Sequence, residues 1–265
     1  MNDDEPSLAS RVNWGNFNNA YPYIAIPGHP IAMFYGHIFD GVYQYTDFDK
    51  VGESYILKDG VPNNGNAREK IQPGDIKFKD INRDGVVNDY DLTIIGNPNP
   101  KHIGGFGNNF QYKNFDLNVF FQWSYGGDVL NANRIEFEGG DPNARTSLNM
   151  FASFANRWTP ENQTNELYRI GGQGPAVYSS RTIEDGSFLR LKTVSLGYRL
   201  PNAWLKKINI KSLRVYASAQ NLITWTRYSG PDPEVSTRPT ALTPSFDWSP
   251  YPRPRTLTLG VDISF

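Results

Sequence analysis

Thr256 to Phe265 reads TLTLGVDISF. Leu257, Leu259, Val261, Ile263 and Phe265 occupy odd positions, and Thr256, Thr258, Gly260, Asp262 and Ser264 the even ones. Period-two alternation sustained this long specifies a β-strand with one apolar and one polar face. The length is also about that of a tilted strand that crosses a bilayer, roughly 9–11 residues. Taken alone, the segment fits an edge strand of a soluble sandwich equally well, so the rest of the chain has to decide.

Four further segments alternate in the same way. Ile103–Tyr112 sets Phe106, Phe110 and Tyr112 against Gly105, Gly107, Asn109 and Gln111. Phe115–Tyr125 sets Phe115, Leu117, Val119, Phe121, Trp123 and Tyr125 against Asp116, Asn118, Gln122 and Ser124. Lys113 and Asn114, which separate these two, make a connection of hairpin length. Phe188–Leu200 aligns Val194, Leu196, Tyr198 and Leu200, but Leu189 and Leu191 are out of phase with them, which places a β-bulge near Thr193. Ser212–Asn221 sets Leu213, Val215, Ala217 and Ala219 against Ser212, Arg214, Tyr216, Ser218 and Gln220. A sixth candidate, Ala32–Tyr45, is aromatic but poorly phased.

The connections sort by length. Two are short, Lys113–Asn114 and Pro201–Lys211, the latter with PNAWLKKI as a brief amphipathic turn. Three are long: Thr46–His102, Gly126–Ser187 and Leu222–Pro254. Long and short alternate strictly back from Phe265, the pattern of a membrane barrel with short turns on one side and long loops on the other. A soluble sandwich has no reason to sort its loops by parity. A strand ending on a terminal Phe also resembles the carboxyl-terminal assembly signal of outer-membrane barrels. The reading is therefore all-β: about six antiparallel strands of a larger transmembrane barrel, since closure needs about eight. Residues 1–31 are expected to be irregular or extended, and residues 32–265 to be the barrel portion.

Composition agrees. The 265 residues carry 26 Lys and Arg against 27 Asp and Glu, so no net field favours nucleic acid. Hydrophobic residues make up 38% and no apolar run suffices for a helical span, a test that barrels evade because only alternate residues face lipid. Cys is absent, which excludes disulfides and thiol chemistry. MNDDEPSLASRVNW has neither the basic nor the apolar part of a signal peptide. Export is expected to depend on sequence upstream of Met1.

One motif carries metal chemistry. DINRDGVVNDYD, residues 80–91, fits the twelve-residue calcium loop. Asp80, Asn82 and Asp84 take positions 1, 3 and 5, Gly85 the sharp turn, Val86 the backbone-carbonyl position, and Asn88 and Asp91 positions 9 and 12. Alternate residues of so tight a loop converge hard oxygens on one cation, so Ca²⁺ in a structural role is expected. Asp in place of Glu at position 12, and the lack of a flanking helix pair, separate it from a paired EF-hand. A metal-free Asx-rich turn is the competing reading.

Other candidates read as structure. Trp123, Tyr125, Trp225 and Tyr228 fit an interfacial aromatic girdle better than a sugar platform. Asp116, Arg214 and Asp262 are expected on the lumen side as solvated wall residues. His29, His37 and His102 lack metal or nucleophile spacing. Gly104–Gly107 is no phosphate loop, and its glycines are expected to admit close packing.

Five stretches, in order, resemble the carboxyl-terminal third of SusC/RagA-type TonB-dependent outer-membrane transporters. They are GDIKFKDINRDGVVNDYDLTIIGNPNPK, YKNFDLNVFFQWSYGGDV, IEDGSFLRLKTVSLGYRLP, LRVYASAQNLITWTRYSGPDPE and YPRPRTLTLGVDISF. The resemblance implies a plugged barrel of about 22 strands in the outer membrane of a Bacteroidota-type bacterium, importing glycans or peptides. It further implies a SusD-like surface lipoprotein as lid, and energy from the TonB complex through a part of the protein N-terminal to these residues. No enzymatic role follows: a glycoside hydrolase would need paired carboxylates, and the acids here cluster in the calcium-type loop or at turns. The rival reading is a secreted calcium-dependent carbohydrate-binding β-sandwich.

Overall fold

The computed structural model describes residues 12–14, 21–139, 148–174, 178–206, 209–238 and 240–265. They divide into two compact units. One holds the alternating strands. The other gathers most of the long connections.

The first unit is a five-stranded antiparallel sheet. Its wall strands are His102–Tyr112, Phe115–Tyr125, Phe188–Arg199, Ser212–Thr226 and Thr256–Ser264, each hydrogen-bonded to the next. Register carries the alternation across the sheet. Phe110, Leu117, Leu196, Ala217 and Leu259 form one row; Tyr112, Phe115, Tyr198, Val215 and Val261 form the next. These rows are open at both edges of the sheet: Phe110 is 56% exposed, Tyr112 70%, Leu259 85% and Val261 56%. A soluble sandwich would bury this face, because each such side chain gains roughly 1.5–3 kcal/mol by leaving water.

The bulge expected near Thr193 is present. Phe120 pairs with Thr193, Phe121 pairs with Leu191, and Lys192 is skipped. One extra residue reverses the parity, so Leu189 and Leu191 rejoin the apolar face and Arg190 turns to the polar one. The short connection after this strand includes the helical turn Asn202–Leu205.

The sixth candidate strand does not join the wall. Residues 32–45 break into Met33–Gly36 and Phe39–Val42, both in the second unit. Gly41 sits at φ +97, and the Asn165 side chain occupies the space a Cβ would need. Asn165 also accepts the Val42 N–H at 2.7 Å. A tertiary contact thus replaces the continuous strand. Within residues 1–31, Tyr23–Ala25 is a strand paired with Val12–Trp14 and Met33–Gly36.

The long connections are built, not slack. Tyr23, Phe34, Leu130, Ile135, Tyr178 and Phe246 form one buried cluster, and Val42, Ile76, Phe78, Val87, Trp158 and Leu167 another. The helix Ala132–Glu138 and the parallel pair Asp128–Asn131 with Phe246–Asp247 complete the first. Among the described residues, no helix is long and apolar enough to cross a membrane, which says nothing of strands.

Candidate functional site

The polar face of the wall concentrates charge at two places. Arg214 lies at the short-turn end. Its Nε and Nη2 donate to the two Asp116 carboxylate oxygens at 2.9 and 2.6 Å, and Nη1 donates to Asp262 at 3.2 Å. A fork gripping a carboxylate at two points is the geometry a guanidinium alone offers. Arg214 passes over the intervening strand at Gly197, where any Cβ would run into the guanidinium. Next to it, the Tyr216 ring covers Gly260. The three residues expected as separate solvated groups are therefore one ionic clamp spanning four strands.

The second concentration was not anticipated from the sequence. Arg190, with its side chain 2% exposed, pairs with Asp232 at 2.5 Å and Glu234 at 3.3 Å. Arg253 pairs with the same two carboxylates at 3.2 and 2.8 Å. Gln122 donates to Glu234, and Lys192, the bulge residue, donates to Gln122. The third long connection is thereby tied to the polar face at both its outgoing and returning legs. The out-of-phase leucines were the available signal, since they assign Arg190 to this face.

The glycines of residues 104–107 admit rings, as expected. A Cβ at Gly105 would lie 2.8 Å from the Phe120 ring on the polar face, and Gly104 faces Trp123 on the apolar one. Trp123, Leu189 and Trp225 share a row near the long-connection end. Tyr228 does not join them; it is buried against Gly230. His102 stacks on Tyr125 at 5.1 Å and accepts the Trp123 indole N–H at 3.1 Å. His37 stacks on Phe78 at 5.3 Å.

The calcium-type loop is a chain of Asx turns. Asp80 accepts the N–H groups of Arg83 at 2.6 Å and Gly85 at 2.8 Å. Asn82 accepts from Asp84, and Asp84 from Val86. Asn88 accepts the Tyr90 N–H at 2.8 Å and donates to the Val86 carbonyl at 3.2 Å. Asp91 is fully buried, and its two oxygens take the N–H groups of Ile81 and Asn88 at 2.8 and 2.9 Å. Gly85, at φ +85, has open space around it. Buried Val87 docks the loop into the second cluster, and Asn63, missed in the sequence, holds it there by accepting the Val87 N–H at 3.1 Å.

These donors suit a hard cation in type: side-chain oxygens at residues 80, 82, 84 and 88 on the partly or fully exposed side, and the Val86 carbonyl. An ionised oxygen that accepts one N–H keeps capacity for a second contact. Asp91 stands apart. Among the described residues, no three His, Cys, Asp or Glu side chains gather as a metal cage.

In the same unit, Glu138 accepts from Arg181 at 2.7 Å, Arg134 at 3.0 Å and Ser153 at 2.7 Å. Burial alone would raise its pKa. The hydrogen bond and charge of Arg181, with Arg134 and Ser153, outweigh burial and hold the carboxyl below the usual range.

A sheet with one uncovered apolar face, one ion-paired polar face, and connections sorted by parity defines the wall of a transmembrane β-barrel with structured loops on one side. Among solved structures, the chain is similar to the RagAB peptide transporter, with TM-score 0.69 and 24% identity over 97% of this chain and 24% of that one. It is similar also to the RagAB peptide importer in its 'closed-closed' state, with TM-score 0.68 and 25% identity over 97% and 25%. Among curated proteins, TonB-dependent receptor P3 of Formosa agariphila is 36% identical over 256 residues, 95% of this chain and 24% of the receptor. TonB-dependent receptor SusC of Bacteroides thetaiotaomicron is 32% identical over 200 residues, 74% of this chain and 18% of the receptor. No family model matches the chain. The chain belongs to the SusC/RagA family of TonB-dependent receptors, as a carboxyl-terminal portion. It spans about a quarter of the length of the receptor from Formosa agariphila.

Proposed function

We propose that these residues form part of the wall, the external loops and the terminal strand of an outer-membrane importer of glycans or peptides. On this reading the importer takes its energy from the TonB complex and works with a SusD-like surface lipoprotein. The observation that carries the reading is the wall sheet. Its apolar rows are exposed or half-exposed across all five strands, as acyl contact requires, and the polar rows opposite carry Arg190 and Arg214 in ionic networks. Similarity to the RagAB peptide importer favours peptides, and the relative SusC is named as a TonB-dependent receptor. The test is made on the full-length receptor. Its membranes should release it only with detergent, and a strain lacking it should fail to grow on one oligosaccharide or oligopeptide source, with rescue that requires an intact TonB. Release by salt or carbonate alone would refute the membrane reading; rescue without TonB would refute the energised one.

We further propose that the loop 80–91 binds Ca²⁺ through Asp80, Asn82, Asp84, the Val86 carbonyl, Asn88 and, after rearrangement, Asp91. Asp91 would have to share its oxygens with the Ile81 and Asn88 amides that it now accepts. The metal would supply stiffness, not chemistry. Chelation should speed proteolysis within the loop, and the double variant Asp80→Ala/Asp84→Ala should be cut equally with and without calcium. Equal cutting of the unaltered protein in both conditions removes the metal from the account.

A further inference from the structure

Neighbouring wall strands are joined in two ways. Phe115–Tyr125 follows His102–Tyr112 through Lys113 and Asn114, so a tight turn sets the register of that pair. Phe188–Arg199 follows Phe115–Tyr125, and Thr256–Ser264 follows Ser212–Thr226, only after connections too long to set one. The apolar face does not set it either. A slip of one residue would turn Leu257, Leu259, Val261 and Ile263 to the polar side, but a slip of two leaves aliphatic side chains on the apolar face. Opposite Ala217, Leu259 would merely give way to Leu257 or Val261. The discriminating groups must therefore lie on the polar face.

One polar row supplies them. Asp116, Gly197, Tyr216 and Gly260 stand opposite one another on four successive strands. Both glycine gaps are filled from Ser212–Thr226: the Tyr216 ring lies over Gly260 and the Arg214 guanidinium over Gly197, each where a Cβ would collide. The two side chains brace each other, with the guanidinium 4.9 Å from the ring centroid. Arg214 then reaches Asp116 at 2.6 and 2.9 Å and Asp262 at 3.2 Å.

A slip of two breaks this arrangement on either side. The terminal strand would set Thr258 under the ring with Gly260 opposite Arg214, or Asp262 under the ring with Ser264 opposite Arg214. Phe115–Tyr125, slipped likewise, would bring Asn114 or Asn118 to the place of Asp116, and neither carries a charge. The hairpin pair lacks such a device: Gly105 and Gly107 both face Phe120, so a glycine meets that ring in two registers. We propose that Arg214 and Tyr216 form a register key, which selects the observed pairing on both sides of the two long connections from the two-residue slips that the apolar face permits. The key belongs to the membrane wall proposed above and is indifferent to the cargo.

The test moves the key. In the full-length receptor on a cysteine-free background, Thr258→Gly/Gly260→Asp/Asp262→Thr keeps the composition of the strand and sets glycine and aspartate two positions earlier. Disulfide formation is read from Ala217→Cys paired with Leu259→Cys, the observed register, or with Leu257→Cys, the slipped one; diagonal neighbours, about 7–8 Å apart, bridge poorly. The unaltered strand should favour the 217–259 bridge about tenfold, and the permuted strand should favour 217–257 by about the same factor. Tyr216→Phe keeps the ring and should behave as the unaltered strand. A permuted receptor that retains heat-modifiable mobility on gels and still favours 217–259 would overturn the proposal. If the permuted strand does not assemble, Tyr216→Ala/Asp262→Ala decides: the 217–257 share should rise about tenfold, and a share within about twofold of the unaltered one would overturn the proposal equally. Failure of the wall reading itself shows separately, as release of the receptor without detergent.

Discussion

Asp91 makes the sharpest demand on the loop unit. Its carboxylate is completely buried, and its two oxygens receive the N–H groups of Ile81 and Asn88 at 2.8 and 2.9 Å. Hydrogen bonds to a charged group contribute about 1.5–3 kcal/mol each. Two such bonds at the low end come to roughly 3 kcal/mol, and desolvation of the ion argues against taking more. Asp91→Ala should therefore lower the local opening free energy by about 3 kcal/mol, and every 1.4 kcal/mol is a factor of ten. Amide hydrogen exchange at Ile81 and Asn88 should quicken by about a hundredfold in chelator, where no metal contributes. Asp91→Asn should fall between, because one oxygen remains while the amide nitrogen opposes a second N–H. Exposed Asp84, which accepts the Val86 N–H, should cost about tenfold or less. Exchange within about threefold of the unaltered protein in Asp91→Ala would refute the reasoning, since the buried carboxylate would then hold nothing together.

Other perturbations separate the two faces of the wall. Gly197→Ala sets a methyl into the Arg214 guanidinium and should cost about 1–3 kcal/mol, seen as a lower midpoint in heat-modifiable mobility, whereas Gly107→Ala, which meets only the edge of Phe120, should cost less. Arg190→Ala should destabilise the receptor far more than Arg253→Ala. Arg190 is buried among its partners, and leaving part of that charge unmatched costs up to about 3–5 kcal/mol; the half-exposed Arg253 falls in the range of surface pairs, about 0–1 kcal/mol. Glu138 has a carboxyl held low in the folded state, so its contribution is fully present above the ordinary carboxylate range and is lost as pH falls through the depressed folded value. Acidification through that window should open the loop unit, and Glu138→Gln should flatten the response; an unchanged acid profile in that variant would contradict it.

Wall strands were legible because a membrane wall enforces alternation residue by residue. The strand Phe115–Tyr125 has the bounds its pattern predicted, and the bulge appeared as two leucines out of step. Ser212–Thr226 runs past the predicted Asn221, where φ is +52 and the register shifts, so the pattern blurs although pairing continues. Loop architecture was illegible for a different reason. Its strands are short, and partners such as Asn165 with Val42 or Asn63 with Val87 lie far apart in sequence. The charges were visible singly, but not their meeting: Asp116 and Arg214 are brought together by strand order, and Asp232 reaches Arg190 only through the path of a long connection. The calcium-type spacing was plain in the sequence, yet the burial of Asp91 was not.

Lys192 behaves like a frameshift written into the protein instead of the gene. Upstream of it, odd-numbered leucines look outward; downstream, even-numbered ones do. Excising that one lysine would send Leu189 and Leu191 to the polar face and thrust Arg190 onto the apolar one, although every other letter stayed the same. A single-residue gap at this point in a related receptor would thus reverse the meaning of the preceding positions, and comparisons made column by column across it would mistake outside for inside.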